Sequence, residues 1–328
     1  MNRLIVTSSG PGAGNLKAAR IADKVIGFDY ELVYGCVPLI EGPIAFFEER
    51  KSRWPPNAVE RLFDEHASKT WAELAVLIGS AERVELWIDP DPNAQLKLLQ
   101  LLPWIAGRRD LAVKTSLFQL DIRLGELPPE ETRRINPTLS PITSRNENLA
   151  RAGWQAFGQA TPEAWCNLLK RKDVTELSML HRSILRVLQE LPETRSGLSS
   201  TQRKVLTLIA NGAATPLAIY SDASMNFGNS MYSYWRHGEI LDELARCNVP
   251  AIAGLPNEVF SMELHDDAER LRRYQRSTIS LTDFGVALLA GEADFAALNS
   301  VDRWWGGTRL TNENLWRWDE GSGALLAP

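Results

Sequence analysis

The sequence predicts an α/β protein: a mostly parallel sheet covered by helices at the N-terminal end, then a mainly helical, winged-helix-like part. Three observations carry this. Short apolar, strand-like runs alternate with helical periodicity over the first 120 residues. The composition then shifts at Pro128, Pro129, Pro137 and Pro141. Beyond that stretch the pattern is helical. A chain of 328 residues is long for one core, so two domains are expected, 1–145 and 146–328.

The first strand, Leu4-Ile5-Val6, runs into Thr7-Ser8-Ser9-Gly10-Pro11-Gly12-Ala13-Gly14, and a helix is expected over 15–20. Val25 to Phe28 reads as a second strand, closed by Asp29-Tyr30-Glu31. Two helices are predicted over 57–67 and 70–79, with Thr70 as N-cap of the second and Glu73 completing a capping box. The third strand, 84–88, ends in Asp89-Pro90-Asp91-Pro92. Pro92 suits the first turn of a helix over 93–105, because an N–H there would have no partner. Leu96, Leu98, Leu99, Leu101, Leu102 and Ile105 make that helix largely buried. A fourth strand is expected over 111–115.

In the second part, helices are expected over 147–157, 162–170 and 176–191. Ser199 with Gln202 forms another capping box, and Val205, Leu208 and Ile209 recur on one helical face. Asn211-Gly212 ends that helix, Thr215-Pro216 starts the next, and a third spans 232–247. A strand-like piece at 249–253, a charged stretch at 265–276 and a helix ending at Gly291 follow. Three helices, a β-ribbon and a final helix are the order of a winged-helix unit. Leu315 to Leu326 reads as a terminal hairpin.

Composition excludes several classes. A net charge of −5 argues against a chain that holds nucleic acid mainly by bulk positive charge, although a local basic patch is compatible with it. Cys36, Cys166 and Cys247 lie far apart and form no C-x-x-C pair, which speaks against zinc clips and a secreted disulfide framework. No apolar run has the length of a signal-peptide core or a membrane span, so a cytoplasmic location is expected. Of eleven Trp, seven lie from Trp154 onward; filling of the core and its rim is the first reading, an aromatic platform the alternative.

In an open parallel sheet, ligands bind beyond the carboxyl ends of the strands. Ser8, Ser9, Gly10 and Gly12 precede a helix, and their backbone N–H groups would cradle an anion such as phosphate. The loop matches neither G-x-G-x-x-G nor G-x-x-x-x-G-K-[ST], and a tight turn without ligand is the competing reading. Asp29 and Glu31, then Asp89 and Asp91, follow the next two strands. Such pairs would chelate Mg²⁺ or divide acid and base roles. Alternatively, Asp89 or Asp91 merely caps the next helix. Gln95, one turn in, would face the same crevice. The four His show no metal spacing, so no metal site is assigned, and no cofactor is named by any motif. In the second part, Arg303 and Arg309 flank Trp304-Trp305-Gly306-Gly307 and would grip carboxylate or phosphate. The simpler expectation is an Asp302–Arg303 or Asp319–Arg317 ion pair under Trp. Helix 232–246 stands in the recognition-helix place, but Glu239, Asp242 and Glu243 would repel DNA phosphates.

These residues also carry a resemblance. The Gly-containing first loop, Tyr30-Glu31-Leu32-Val33-Tyr34-Gly35, Leu86-Trp87-Ile88-Asp89-Pro90-Asp91 with Gln95-Leu96, Glu190-Leu191-Pro192-Glu193-Thr194-Arg195-Ser196-Gly197-Leu198-Ser199, Leu281-Thr282-Asp283-Phe284-Gly285, and Asp302-Arg303-Trp304-Trp305-Gly306-Gly307 with Trp316-Arg317-Trp318-Asp319 are the relevant segments. Together they resemble the bacterial family called domain of unknown function 1835, over nearly the whole chain. That family opens with a His before the first strand and Gly-Asp-Ser after it; this chain has Arg3 and Thr7-Ser8-Ser9. Asp89 replaces the usual Glu, and Arg309 the usual His. The resemblance implies the architecture and names no reaction.

Two functional readings follow. The first is a site for a small, phosphate-bearing ligand, binding or enzymatic, at the N-terminal strand ends. The alternative is a regulatory, nucleic-acid-associated or protein-interaction module acting through the winged-helix-like part.

Overall fold

The computed structural model describes residues 2–55, 58–222, 225 and 230–328. The chain divides into two compact units: Met1–Pro56, Glu60–Leu185 and Gly306–Thr308 form the first, and Asn57–Val59, Arg186–Trp305 and Arg309–Pro328 the second.

The first unit is built on β1 (Arg3–Thr7), β2 (Lys24–Gly27), β3 (Arg83–Ile88), β4 (Thr115–Gln119) and β5 (Ser140–Pro141). Their order in the sheet is β2-β1-β3-β4-β5; the first four are parallel and β5 is antiparallel. Leu4, Ile5 and Val6 are fully buried, as expected of a central parallel strand covered on both faces. Helix α1 (Gly10–Ala19) joins β1 to β2, and α2 (Pro43–Arg53) and α3 (Val59–Ser80) join β2 to β3. From β3 the chain passes through α4 (Pro92–Ala106) and the single turn α5 (Arg109–Ala112) to β4.

Register decides where ligands meet this sheet. Thr7 is opposite Gly27 on one side and Trp87 on the other. The carboxyl ends of three neighbouring strands are therefore level, and Ser8-Ser9, Phe28-Asp29 and Ile88-Asp89 leave from one edge. The connections diverge between β1 and β3, the arrangement that opens a crevice at a topological switch point.

Several expected boundaries move. Residues 59–80 form one helix: the Thr70 hydroxyl donates back to the His66 carbonyl instead of capping a new start. Leu111 and Ala112 wind into α5, so the fourth strand begins at Thr115 and only its first residue falls within the expected 111–115. Helix α1 starts at Gly10, so the glycine loop is itself the first helical turn. The division near residue 145 is also displaced. After the short helix α6 (Pro129–Arg134), helix α7 (Ser144–Phe157) packs along α4, and the first unit continues through Leu185.

The second unit holds α10 (Ser200–Ala210), α11 (Pro216–Ser221) and α12 (Tyr234–Arg246), numbered after the short α8 (Glu163–Asn167) and α9 (Leu180–Leu188). Ser199 and Gln202 cap α10 reciprocally, as the sequence implies. Strand β6 (Ile252–Ala253) pairs antiparallel with β7 (Ser280–Leu281), and the Ile279 N–H donates to the Ala214 carbonyl. Two short helices, 262–265 and 268–275, lie between the strands, and a helix over 283–290 ends at Gly291 with φ 69°. The tail forms the expected hairpin, with Arg317 opposite Leu326. Trp305, Trp316 and Trp318 are buried, which suits core filling rather than an open platform. Among the described residues, no helix is long and apolar enough to cross a membrane.

Candidate functional site

The strand-end edge of the first unit gathers every site residue expected there: Ser8, Ser9, Gly10, Gly12, Asp29, Asp89, Asp91 and Gln95. Gly27 explains how the first loop seats. A Cβ built on it would stand 2.6 Å from Ala13 Cβ and 2.8 Å from the Ser9 carbonyl, so α1 lies directly on the end of β2.

Asp89 holds this edge together. Its carboxylate accepts from Ser9 Oγ at 2.9 Å and from the Leu124 N–H at 3.0 Å, while its own N–H donates to Ser8 Oγ at 3.0 Å. Its residue exposure is 1%. Burial and the neighbouring Asp91 charge push its pKa up, opposed by those hydrogen bonds. Asp91 caps α4 through the Ala94 N–H and lies 3.4 Å from Arg123 Nε. The two carboxylates thus act as a strut and a cap, and among the described residues no group of three or more His, Cys, Asp or Glu is disposed to hold a metal ion.

The anion cradle is also reduced. Ser9 caps α1, accepting from the Gly12 N–H at 3.2 Å, and Pro11 has no N–H to offer. The exposed Asp29 carboxylate covers Gly10 so closely that a Cβ there would stand 2.8 Å from Oδ2. An acidic group of the protein therefore faces the first turn of α1, where a phosphate would need positive potential.

Lys97 is a member of this site that sequence reasoning missed. Its ammonium donates to the Ser8 carbonyl at 2.7 Å and the Phe28 carbonyl at 2.8 Å, over the Tyr30 ring at 4.9 Å. Burial lowers its pKa, and Asp91, Asp29, Glu31 and Asp89 oppose the shift. The signal was available: a Lys inside the leucine-rich face of a buried helix must carry its charge to oxygen acceptors. It fastens the ends of β1 and β2 to α4. Gln95, also 1% exposed, donates to the Asp89 carbonyl at 2.9 Å, and its Oε1 is buried with no hydrogen-bond partner. Thr7 Oγ1, at the end of β1, is buried in the same unpartnered state.

In the second unit, Arg303 and Arg309 do not converge. Arg309 makes a bidentate pair with Asp302, both N–O distances 2.8 Å, on the exposed surface. Arg303 donates to the Glu190 carbonyl at 2.7 Å and lines a cavity of about 240 Å³ with Gln202, Asp242, Glu243 and Arg246. The ion pairs expected under Trp are replaced by Arg309–Asp302 and Arg317–Asp294. His237, one of the four His without metal spacing, is buried against Ser230 Oγ at 2.8 Å, and burial lowers its pKa to about 4. No family model matches the chain, and no curated protein matches it.

Proposed function

We propose that the first unit binds a small molecule at the β1/β3 switch point, in the crevice bounded by the Ser8–Gly12 loop, Asp29 and Gln95. The observation that carries this reading is the level ending of β2, β1 and β3, which brings a buried, unpartnered acceptor on Gln95 to the same edge as the exposed Asp29 carboxylate. Asp89, Asp91 and Lys97 shape the crevice and keep it rigid. Enzymatic turnover is not required by this reading; recognition is.

The test is a thermal-shift panel of nucleosides, nucleotides, sugar phosphates and coenzymes. A ligand at a hundred times its Kd adds about 2.7 kcal/mol, a rise of several degrees for a unit of this size. A flat panel on a folded protein counts against the reading.

A second reading rests on the other unit. The sequence of α10, α11 and α12, the paired β6 and β7, and the Ile279–Ala214 backbone bond support a winged-helix arrangement whose wing carries two helices. Helix α12 is poorly suited to duplex readout. Arg236 is buried and bound to Glu239 and Glu243, and His237 is buried. This favours protein contact over DNA contact for that unit.

A further inference from the structure

We infer that the ligand of the strand-end crevice is a ribonucleoside, with the Asp29 carboxylate accepting hydrogen bonds from the two ribose hydroxyls. The inference rests on the binding site proposed above and specifies its ligand chemistry.

The argument begins with what the edge offers. Its uncommitted groups are chiefly acceptors. Asp29 is exposed, and the Gln95 amide is held by its N–H on the Asp89 carbonyl, which leaves Oε1 at the strand ends without a donor. Donors are scarce there: Pro11 has none, the Gly12 N–H is bound to Ser9, and the Lys97 ammonium is engaged with the Ser8 and Phe28 carbonyls. A phosphate brings only acceptors and negative charge, so it mismatches this set. A ligand presenting hydroxyl hydrogens matches it.

Position narrows the class. Asp29 lies two residues past the end of β2, the strand beside β1, and directly over the first residue of a glycine-bearing helical turn. In open α/β sheets, a carboxylate at the end of the second strand, facing the glycine turn after the first, is placed to accept from a ribose diol. Two vicinal hydroxyls on one carboxylate form a bidentate, charge-assisted pair, and a ligand lacking one of them leaves the acceptor short.

The experiment is isothermal titration of the full chain with adenosine, guanosine, cytidine and uridine, each beside its 2′-deoxy and 3′-deoxy counterpart, with inorganic phosphate and ribose 5-phosphate for comparison. Wild type is compared with Asp29→Asn, whose fold is checked by circular dichroism and whose substitution lies at an exposed side chain. At least one ribonucleoside is expected to bind, to lose about tenfold or more on removal of either hydroxyl, and to show no such preference in Asp29→Asn. Equal affinity for ribo and deoxy forms overturns the inference. If ligands without a diol bind and nucleosides do not, the inference falls while the crevice reading stands. If nothing in the titration or the thermal panel binds, both fall.

Discussion

The carboxylate of Asp29 lies across the backbone of Gly10, so close that a Cβ at Gly10 would stand 2.8 Å from Oδ2 and 2.9 Å from Cγ. This one approach ties the end of β2 to the first turn of α1 and sets the electrostatic character of the crevice.

Substitution of Gly10 follows from it. Because Asp29 is exposed and its carboxylate can swing away, Gly10→Ala is expected to cost less than about 1 kcal/mol of stability. It displaces the carboxylate, however, and ligand affinity should fall as far as in Asp29→Asn. Gly12→Ala meets Ser9 Oγ at 2.7 Å and Leu124 Cβ at 3.0 Å, which disrupts the helix cap and should cost about 1 kcal/mol or more. Urea denaturation and titration of the same preparations check the contrast.

Asp89 predicts a structural phenotype. In Asp89→Asn, an amide replaces a carboxylate that accepts from Ser9 Oγ and the Leu124 N–H. The amide oxygen can keep the Leu124 N–H, but the amide NH2 must then donate to Ser9 Oγ, whose hydroxyl hydrogen loses its acceptor, and stability should fall by about 1–3 kcal/mol. A denaturation midpoint unchanged from wild type would contradict the strut.

The Arg50–Asp64 pair supports the region between β2 and α3. Both residues are 2% exposed; Arg50 also donates to the Cys36 and Tyr34 carbonyls, and Asp64 accepts from Trp54 Nε1. Asp64→Ala strands a buried guanidinium and should cost about 3–5 kcal/mol, measured by chemical denaturation. Arg83→Ala removes an arginine whose side chain is 55% exposed from a carboxylate that also pairs with Arg3, and should cost well under 1 kcal/mol.

Acid should weaken the second unit in two stages. The pKa of His237 is lowered to about 4 by burial, with the Arg236 and Lys204 charges adding to the shift. The unfolded chain binds that proton first as pH falls, so about 3 kcal/mol present above pH 6.5 is lost towards pH 4. The Glu193 carboxylate is lowered to about 2: hydrogen bonds from the Arg195 and Ser196 N–H groups and the Ser196 and Thr194 hydroxyls outweigh desolvation, which alone would raise it. Its contribution, about 2 kcal/mol after solvent screening, is present above pH 4.5 and lost towards pH 2. His237→Gln should flatten the upper stage and Glu193→Gln the lower one in stability measured against pH.

Much of the first unit was legible because its strands are short apolar runs ending in Ser, Asp and Gly. Asp91 and Pro92 mark the start of α4 by cap and fixed φ, both local properties. What escaped depends on contacts remote in sequence. Thr70 looks like a cap, yet its hydroxyl finds a carbonyl one turn back within a continuous helix. Lys97 looks like one polar residue among leucines until the ends of β1 and β2 supply its acceptors. Asp302 was expected to pair with its neighbour Arg303, but a strand directs successive side chains to opposite faces, and Arg309 meets it instead. The boundary at 145 followed composition, whereas α7 continues the packing of α4.

The central claim is the location of the ligand, and hydrogen–deuterium exchange with the strongest stabilising compound of the thermal panel tests it most directly. The account predicts added protection over 7–14, 28–31, 89–97 and 121–125, lost in Asp29→Asn. Protection confined to 190–203, 236–246 and 300–303, around the cavity of the second unit, would contradict it.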